Sequence, residues 1–138
     1  MGRFCQAGVY PRQAHCDPVR WVRRDLNVAA DFLCLLAMQK KGNIEKISET
    51  AIVDFMSKEA CCFQFHSDGS YTPSVGGAYA FTVFAWVQTT DAWNQYLLGQ
   101  KAVFSESISS AFHAEVLGLS AATSFFEQAL QIRSNQAV

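Results

Sequence analysis

The stretch from Phe63 to Trp86, FQFHSDGSYTPSVGGAYAFTVFAW, constrains the fold more than any other part of the chain. An apolar run carries one aspartate, Asp68, into Gly69-Ser70. Pro73 and the Gly76-Gly77 pair follow, then a second run rich in aromatic and β-branched residues. This order encodes strand, turn, strand, because proline is excluded from central strands and the second run has strong β preference. A carboxylate placed near a core is costly unless something binds it, and a divalent cation is the usual partner.

The neighbouring segments extend the pattern. Residues 60–66 read as a buried strand, 69–77 as a turn, 77–88 as a long strand and 96–104 as a third strand interrupted by Gly99. Short turns between them predict a three-stranded antiparallel meander. Ser109 or Ser110 can cap a helix from Ala111 to Phe126, and Leu130 to Arg133 read as a short last strand. Upstream, Val28, Phe32, Leu35 and Leu36 recur at helical spacing, thickened by Ala29, Leu33 and Ala37. Asp25 or Asn27 can cap that helix, and Lys40, Lys41 and Gly42 form its stop. Residues 43–59 predict a linker or weak helix with Ile44, Ile47, Ile52, Phe55 and Met56 on one face. Residues 1–17 lack periodicity and read as an irregular lead-in, with a short extended piece at 18–22. The expected division is therefore a lead-in over 1–17, a helical segment over 18–42, the linker over 43–59 and a core over 60–138.

Composition narrows the function classes. The chain has 138 residues, 50% hydrophobic and 17% charged, enough for one domain with a core. No apolar run reaches the about 18 residues needed to span a bilayer, and MGRFCQAGVYPRQAHC has no apolar signal-peptide core. The five cysteines are odd in number, and Cys61 and Cys62 are adjacent and poorly placed to bridge each other. An intracellular protein with reduced thiols is expected. Cys61 and Cys62 read as small hydrophobes, and Cys5, His15 and Cys16 lack the paired spacing of a zinc site. The net charge of −1 argues against strong electrostatic binding of nucleic acid. Its distribution is uneven: residues 1–62 hold 9 Lys/Arg and 7 Asp/Glu, residues 63–138 hold 2 and 5. Arg20, Arg23, Arg24, Lys40 and Lys41 form a basic cluster that reads either as a solvated face or as a phosphate-facing patch.

Asp68-Gly69-Ser70, followed by strand, turn, strand and then Ala114-Glu115-Val116-Leu117-Gly118-Leu119 on a helix, resembles the opening of a ribonuclease H-like domain, of the plant-type and reverse-transcriptase-associated kind. WVRRDLNVAADFLCLLAMQ, with Asn27 and Asp31, is similar to the closing segment of such a domain, where an acid follows an asparagine by four residues. The resemblance covers residues 21–39 and 63–138. It implies an α/β fold with a mixed sheet, a three-stranded antiparallel meander and flanking helices, incomplete at its C-terminal end. It implies that Asp68, Glu115 and Asp31 hold Mg²⁺ or Mn²⁺, with Ser70, Arg23 and Arg24 as nucleic-acid contacts. The implied reaction is metal-dependent hydrolysis of the RNA strand of an RNA–DNA hybrid. Two divalent ions about 3.5–4 Å apart, held by clustered carboxylates, suit that chemistry. The family's third acid, at the end of the fourth strand, corresponds to Asn135, a neutral amide.

A tail-like segment ahead of a head-like one fits a slice of a tandem array, a circular permutation or a joining of mobile-element remnants. In the permuted case Asp31 reaches Asp68 and Glu115; in the tandem case it belongs to another copy. Asn135 equally suits a binding or scaffold module that keeps the fold without the chemistry. An absent strand would leave a sheet edge open and favour pairing of two copies. His66 and His113 flank the two acids and read as packed or exposed residues before proton shuttles.

Overall fold

Local pattern draws the middle of the chain into a meander, and both its edges and both its faces are then covered. In the computed structural model, residues 3–9, 19–23, 27–56, 61–90 and 92–136 are described. The order is β1 (Arg3–Val9), β2 (Val19–Arg23), α1 (Val28–Lys40), β3 (Ile44–Ile47), α2 (Glu49–Met56), β4 (Cys61–Thr72), β5 (Gly76–Gln88), β6 (Trp93–Ser105) and α3 (Ala111–Gln136). The class is α/β, with helices flanking an antiparallel sheet. Strand order is β2-β1-β4-β5-β6-β3, which makes β4 and β5 central.

The expected meander is β4-β5-β6, in register from Cys61↔Val87 to Thr72↔Gly76 and from Gly77↔Ser105 to Gln88↔Trp93. Its first turn lies later than expected. β4 runs on through Gly69, and the chain reverses at Pro73, with the Val75 N–H donating to the Thr72 carbonyl at 3.1 Å. Ser74 (φ 72°) and Gly76 (φ 123°) supply the left-handed backbone, natural for glycine and tolerated by serine in a turn.

Five expectations are corrected by this architecture. Residues 3–9 are a strand rather than an irregular lead-in, pairing with β2 and, through Cys5↔Ser67 to Val9↔Phe63, with β4. The segment 43–59 opens as a strand on β6, and only at Ser48 does it turn helical. There the Ser48 hydroxyl accepts the Ala51 N–H at 3.2 Å. No strand forms at 130–133, because Glu127 to Gln136 contains no glycine or proline and is rich in helix formers, so α3 continues unbroken. For the same reason every described strand pairing is antiparallel and the sheet is not mixed. The edge expected to stay open is filled, since β1 and β2 extend the sheet beyond β4 and β3 covers β6.

The core has two parts, one on each face. On one face Phe63, Phe65, Phe81, Val83, Ala85 and Leu98 of the sheet pack with Ile52 of α2 and Ala122 and Ala129 of α3. Phe65 meets Phe125 and Phe126 edge-on at 6.3 and 5.4 Å. Against α1 the sheet offers small residues, Ala78, Ala80 and Ala102, which meet Leu33, Cys34 and Ala37. This shifts the expected face of α1: Leu33 and Ala37 go inward as expected, but the rest of the expected stripe does not. Val28, Phe32 and Leu35 are 65%, 58% and 49% exposed, whereas Ala30, Leu33, Cys34 and Ala37 are buried. A helix apolar around most of its circumference can present either stripe, and an alanine-lined sheet selects the small one because it permits the closer approach. The helix ends at Lys41, itself left-handed at φ 50°, ahead of Gly42. Among the described residues no helix is long and apolar enough to cross a membrane.

Candidate functional site

Alternation along β4 sends successive side chains to opposite faces. Asp68 pairs with Ala80 and points to the α1 side. Gly69 points to the α3 side, where a Cβ would collide with the Glu115 nitrogen and stand 2.5 Å from the Ala114 carbonyl carbon. The glycine of the Asp-Gly pair is therefore a contact point inside the strand rather than a turn former. Its missing side chain lets the α3 backbone lie directly on the sheet. Gly118, one turn further along α3, repeats the device: a Cβ there would lie 2.9 Å from the Asp68 carbonyl oxygen. The register of α3 is set by a double cap. The Ser110 hydroxyl accepts the His113 N–H at 2.9 Å, and the His113 Nδ1 accepts the Ser109 N–H at 3.2 Å. Ser110 thus fills the capping role expected for that segment.

Asp68 is 4% exposed. It shares a side-chain hydrogen bond with Asp31, half-buried on the first turn of α1. The Asp68 carboxyl is pushed up to about 8, first by burial, then by the Asp31 hydrogen bond and by the nearby charges of Asp31 and Glu115, against the Gly69 backbone hydrogen bond that lowers it. Two carboxylates this close do not both ionise freely, so Asp68 keeps a proton and donates it to Asp31. Burial likewise raises Glu115, half-buried on α3. Cys34, one turn beyond Asp31, donates its Sγ proton to the Asp68 carbonyl at 3.4 Å and lies 3.9 Å from that of Ala78. Burial and the charges of Asp68 and Asp31 hold its thiol well above the usual range.

Asp31, Asp68 and Glu115 thus come from three elements to one region of β4. Asp31 and Asp68 touch, and Glu115 acts on Asp68 through its charge. Among the described residues no three His, Cys, Asp or Glu side chains gather tightly enough to hold one ion. The donor chemistry fits a hard cation: carboxylate oxygens, two of them forced together so that one holds a proton a cation could replace.

The remaining expected residues separate. Ser70 is half-buried on β4, on the same face as Asp68. Arg23 ends β2 opposite Arg3, while Arg24, Asp25, His15 and Cys16 lie outside the described residues. Asn135, expected at the end of a fourth strand, lies in the last turn of α3; it is the continuing helix that removes it from that position. His66 is half-buried, its Nδ1 3.0 Å from the Asn27 Oδ1 and its ring edge-on to Phe84 at 5.5 Å. Asn27 occupies the cap position of α1, yet its side chain makes no cap hydrogen bond. It is 2% exposed and donates from Nδ2 to the Ser67 carbonyl at 3.0 Å. That cross-link was hidden in the sequence, where an asparagine ahead of a helix reads as a cap. Thr82 also escaped sequence reasoning: its hydroxyl is fully buried on the α1 side and finds no hydrogen-bond partner.

Away from the acids, a hollow of about 560 Å³ on the α3 face is lined by Phe81, Phe125, Glu45, Lys101 and Gln128. No protein-family model, curated protein or solved structure matches the chain.

Proposed function

We propose that the chain is a ribonuclease H-like domain that engages an RNA–DNA hybrid inside the cell and hydrolyses its RNA strand with Mg²⁺ or Mn²⁺. The observation that carries this reading is the meeting of Asp31 and Asp68, brought from separate elements to the Asp-Gly-Ser segment of a central strand, with Glu115 within charge reach. An isolated surface carboxylate would not be buried against a second one; a pair of this kind is an unfavourable arrangement that a divalent cation relieves. Asp68 and Asp31 would hold the ion, with Glu115 the third acid. A cation bound there supplies charge relief at the phosphate and a more acidic water. The protein's own contribution is to fix the carboxylates: Gly69 and Gly118 seat α3 on the sheet, and Cys34 ties α1 to the Asp68 peptide.

The test is cleavage of a labelled RNA–DNA hybrid in Mg²⁺ or Mn²⁺, wild type beside Asp68→Asn. Cleavage by the wild type, lost in the variant, is expected. An equal rate in both would remove the assignment.

A second reading, a binding or scaffold module without the chemistry, is favoured by one observation. The strand on the outer side of β4 is β1, RFCQAGV, which runs antiparallel and contains no acid. Uncleaved hybrid retained by both folded proteins would support this alternative.

A further inference from the structure

Asn27 makes three hydrogen bonds that converge on the acid pair from outside it. Its Nδ2 donates to the carbonyl of Ser67, the residue before Asp68, at 3.0 Å. Its Oδ1 is 3.0 Å from the Nδ1 of His66, which donates to it in the matching tautomer. Its backbone carbonyl accepts the N–H of Asp31 at 3.2 Å. One residue therefore grips the strand just before Asp68 and the helical turn that carries Asp31. The side chain is 2% exposed and does not cap its own helix. Asparagine offers both a donor and an acceptor at the end of a short, stiff side chain, which suits a fixed span between two backbones. We infer that Asn27 is a positioning residue: with His66 behind it, it sets the distance and angle between the Asp31 and Asp68 carboxylates.

The inference rests on the proposed metal-binding reading, and groups that orient ligands from behind commonly change metal affinity about 10–100-fold. Leu33 and Ala37 already anchor α1 to the sheet, so the loss of Asn27 would loosen the first turn before it detaches the helix.

The test uses the full chain in three variants. Asn27→Ala removes both side-chain bonds. His66→Phe keeps a ring against Phe84 but removes the donor to Asn27, and serves if Asn27→Ala does not fold. Ile52→Val, in the opposite core, controls for destabilisation alone. Mn²⁺ affinity is read from the free-ion paramagnetic resonance signal. Exchange of the Asp31 amide is read in chelator, with the Ala37 amide as internal reference. Asn27→Ala is expected to weaken Mn²⁺ binding about tenfold or more and to speed Asp31 exchange about tenfold relative to Ala37. His66→Phe should shift both in the same direction and Ile52→Val neither. Unchanged Asp31 exchange in Asn27→Ala overturns the positioning role whatever the metal does. Faster exchange with unchanged Mn²⁺ affinity overturns it too, while the metal reading stands. A wild type that binds no Mn²⁺ defeats the metal reading itself, and the positioning role falls with it.

Discussion

Asp68 in the centre of the sheet hydrogen-bonds to Asp31 on the first turn of α1, carboxyl to carboxyl. Such a contact needs a proton between the two groups. It therefore links the stability of the fold to pH and to cations, in a direction opposite to that of most aspartates.

Unfolded, Asp68 releases its proton near pH 4; folded, near pH 8. Between those values the folded state binds a proton that the unfolded state does not. The contribution is fully present below about pH 4 and is lost as pH rises toward 8. Thermal melts in chelator should show Tm falling between pH 5 and pH 8 for the wild type. In Asp68→Asn the fall should be smaller and Tm at pH 8 higher. Millimolar Mg²⁺ at pH 8 should raise Tm of the wild type and not of the variant, since a ligand of the folded state alone stabilises it. A wild-type Tm that rises from pH 5 to pH 8 would contradict the proton-sharing pair.

Gly69 marks where a helix backbone rests on a strand backbone. Neither surface has a flexible side-chain end that can give way. Gly69→Ala should cost about 1–3 kcal/mol through overpacking and shift Glu115 away from Asp68. Denaturant unfolding would measure the first effect; a drop in hybrid cleavage larger than that of a core variant of equal stability would measure the second.

The two faces of α1 offer a direct contrast. Leu33→Ala, in the alanine-lined core, should cost about 2–5 kcal/mol. Phe32→Ser, on the exposed stripe, should stay within about 0.5 kcal/mol. A larger cost for Phe32→Ser than for Leu33→Ala would place the helix the other way round.

Thr82 buries a hydroxyl without a partner. Thr82→Val keeps the branched shape and removes the unpaired group. The denaturant midpoint should rise, corresponding to about 1 kcal/mol.

The meander was legible because its signals are local: runs of β-branched and aromatic residues, with Pro73 and Gly76 at the reversal. The Ser110 cap was legible for the same reason, whereas Asp68 and Glu115 were linked only through resemblance. The buried side of α1 was not, because VAADFLCLLAM is apolar nearly all round and only Ala78, Ala80 and Ala102, far along the chain, decide which stripe goes in. β1 was missed since RFCQAGV has little alternation and gains its structure from β4. The extent of α3 was misjudged because Leu130 to Arg133 is apolar enough to suggest a strand, while its helix-forming neighbours carry the helix through it. At the site, Asp31 was recoverable only through resemblance, and the side chain of Asn27 is drawn from its expected cap by partners in β4 that local reading does not see.

The placement of β1 and α1 also bears on the order in which the molecule assembles. The hairpins β4-β5 and β5-β6 join neighbours in sequence, whereas β1 must find β4 across the whole of α1, β3 and α2. Contacts that close long loops carry the larger entropic cost, and long-range pairing slows folding. Asp68 lies within those sequence-local hairpins, whereas Asp31 reaches it only through the docking of α1 on the sheet. The dicarboxylate is an interlock, armed only by the finished fold.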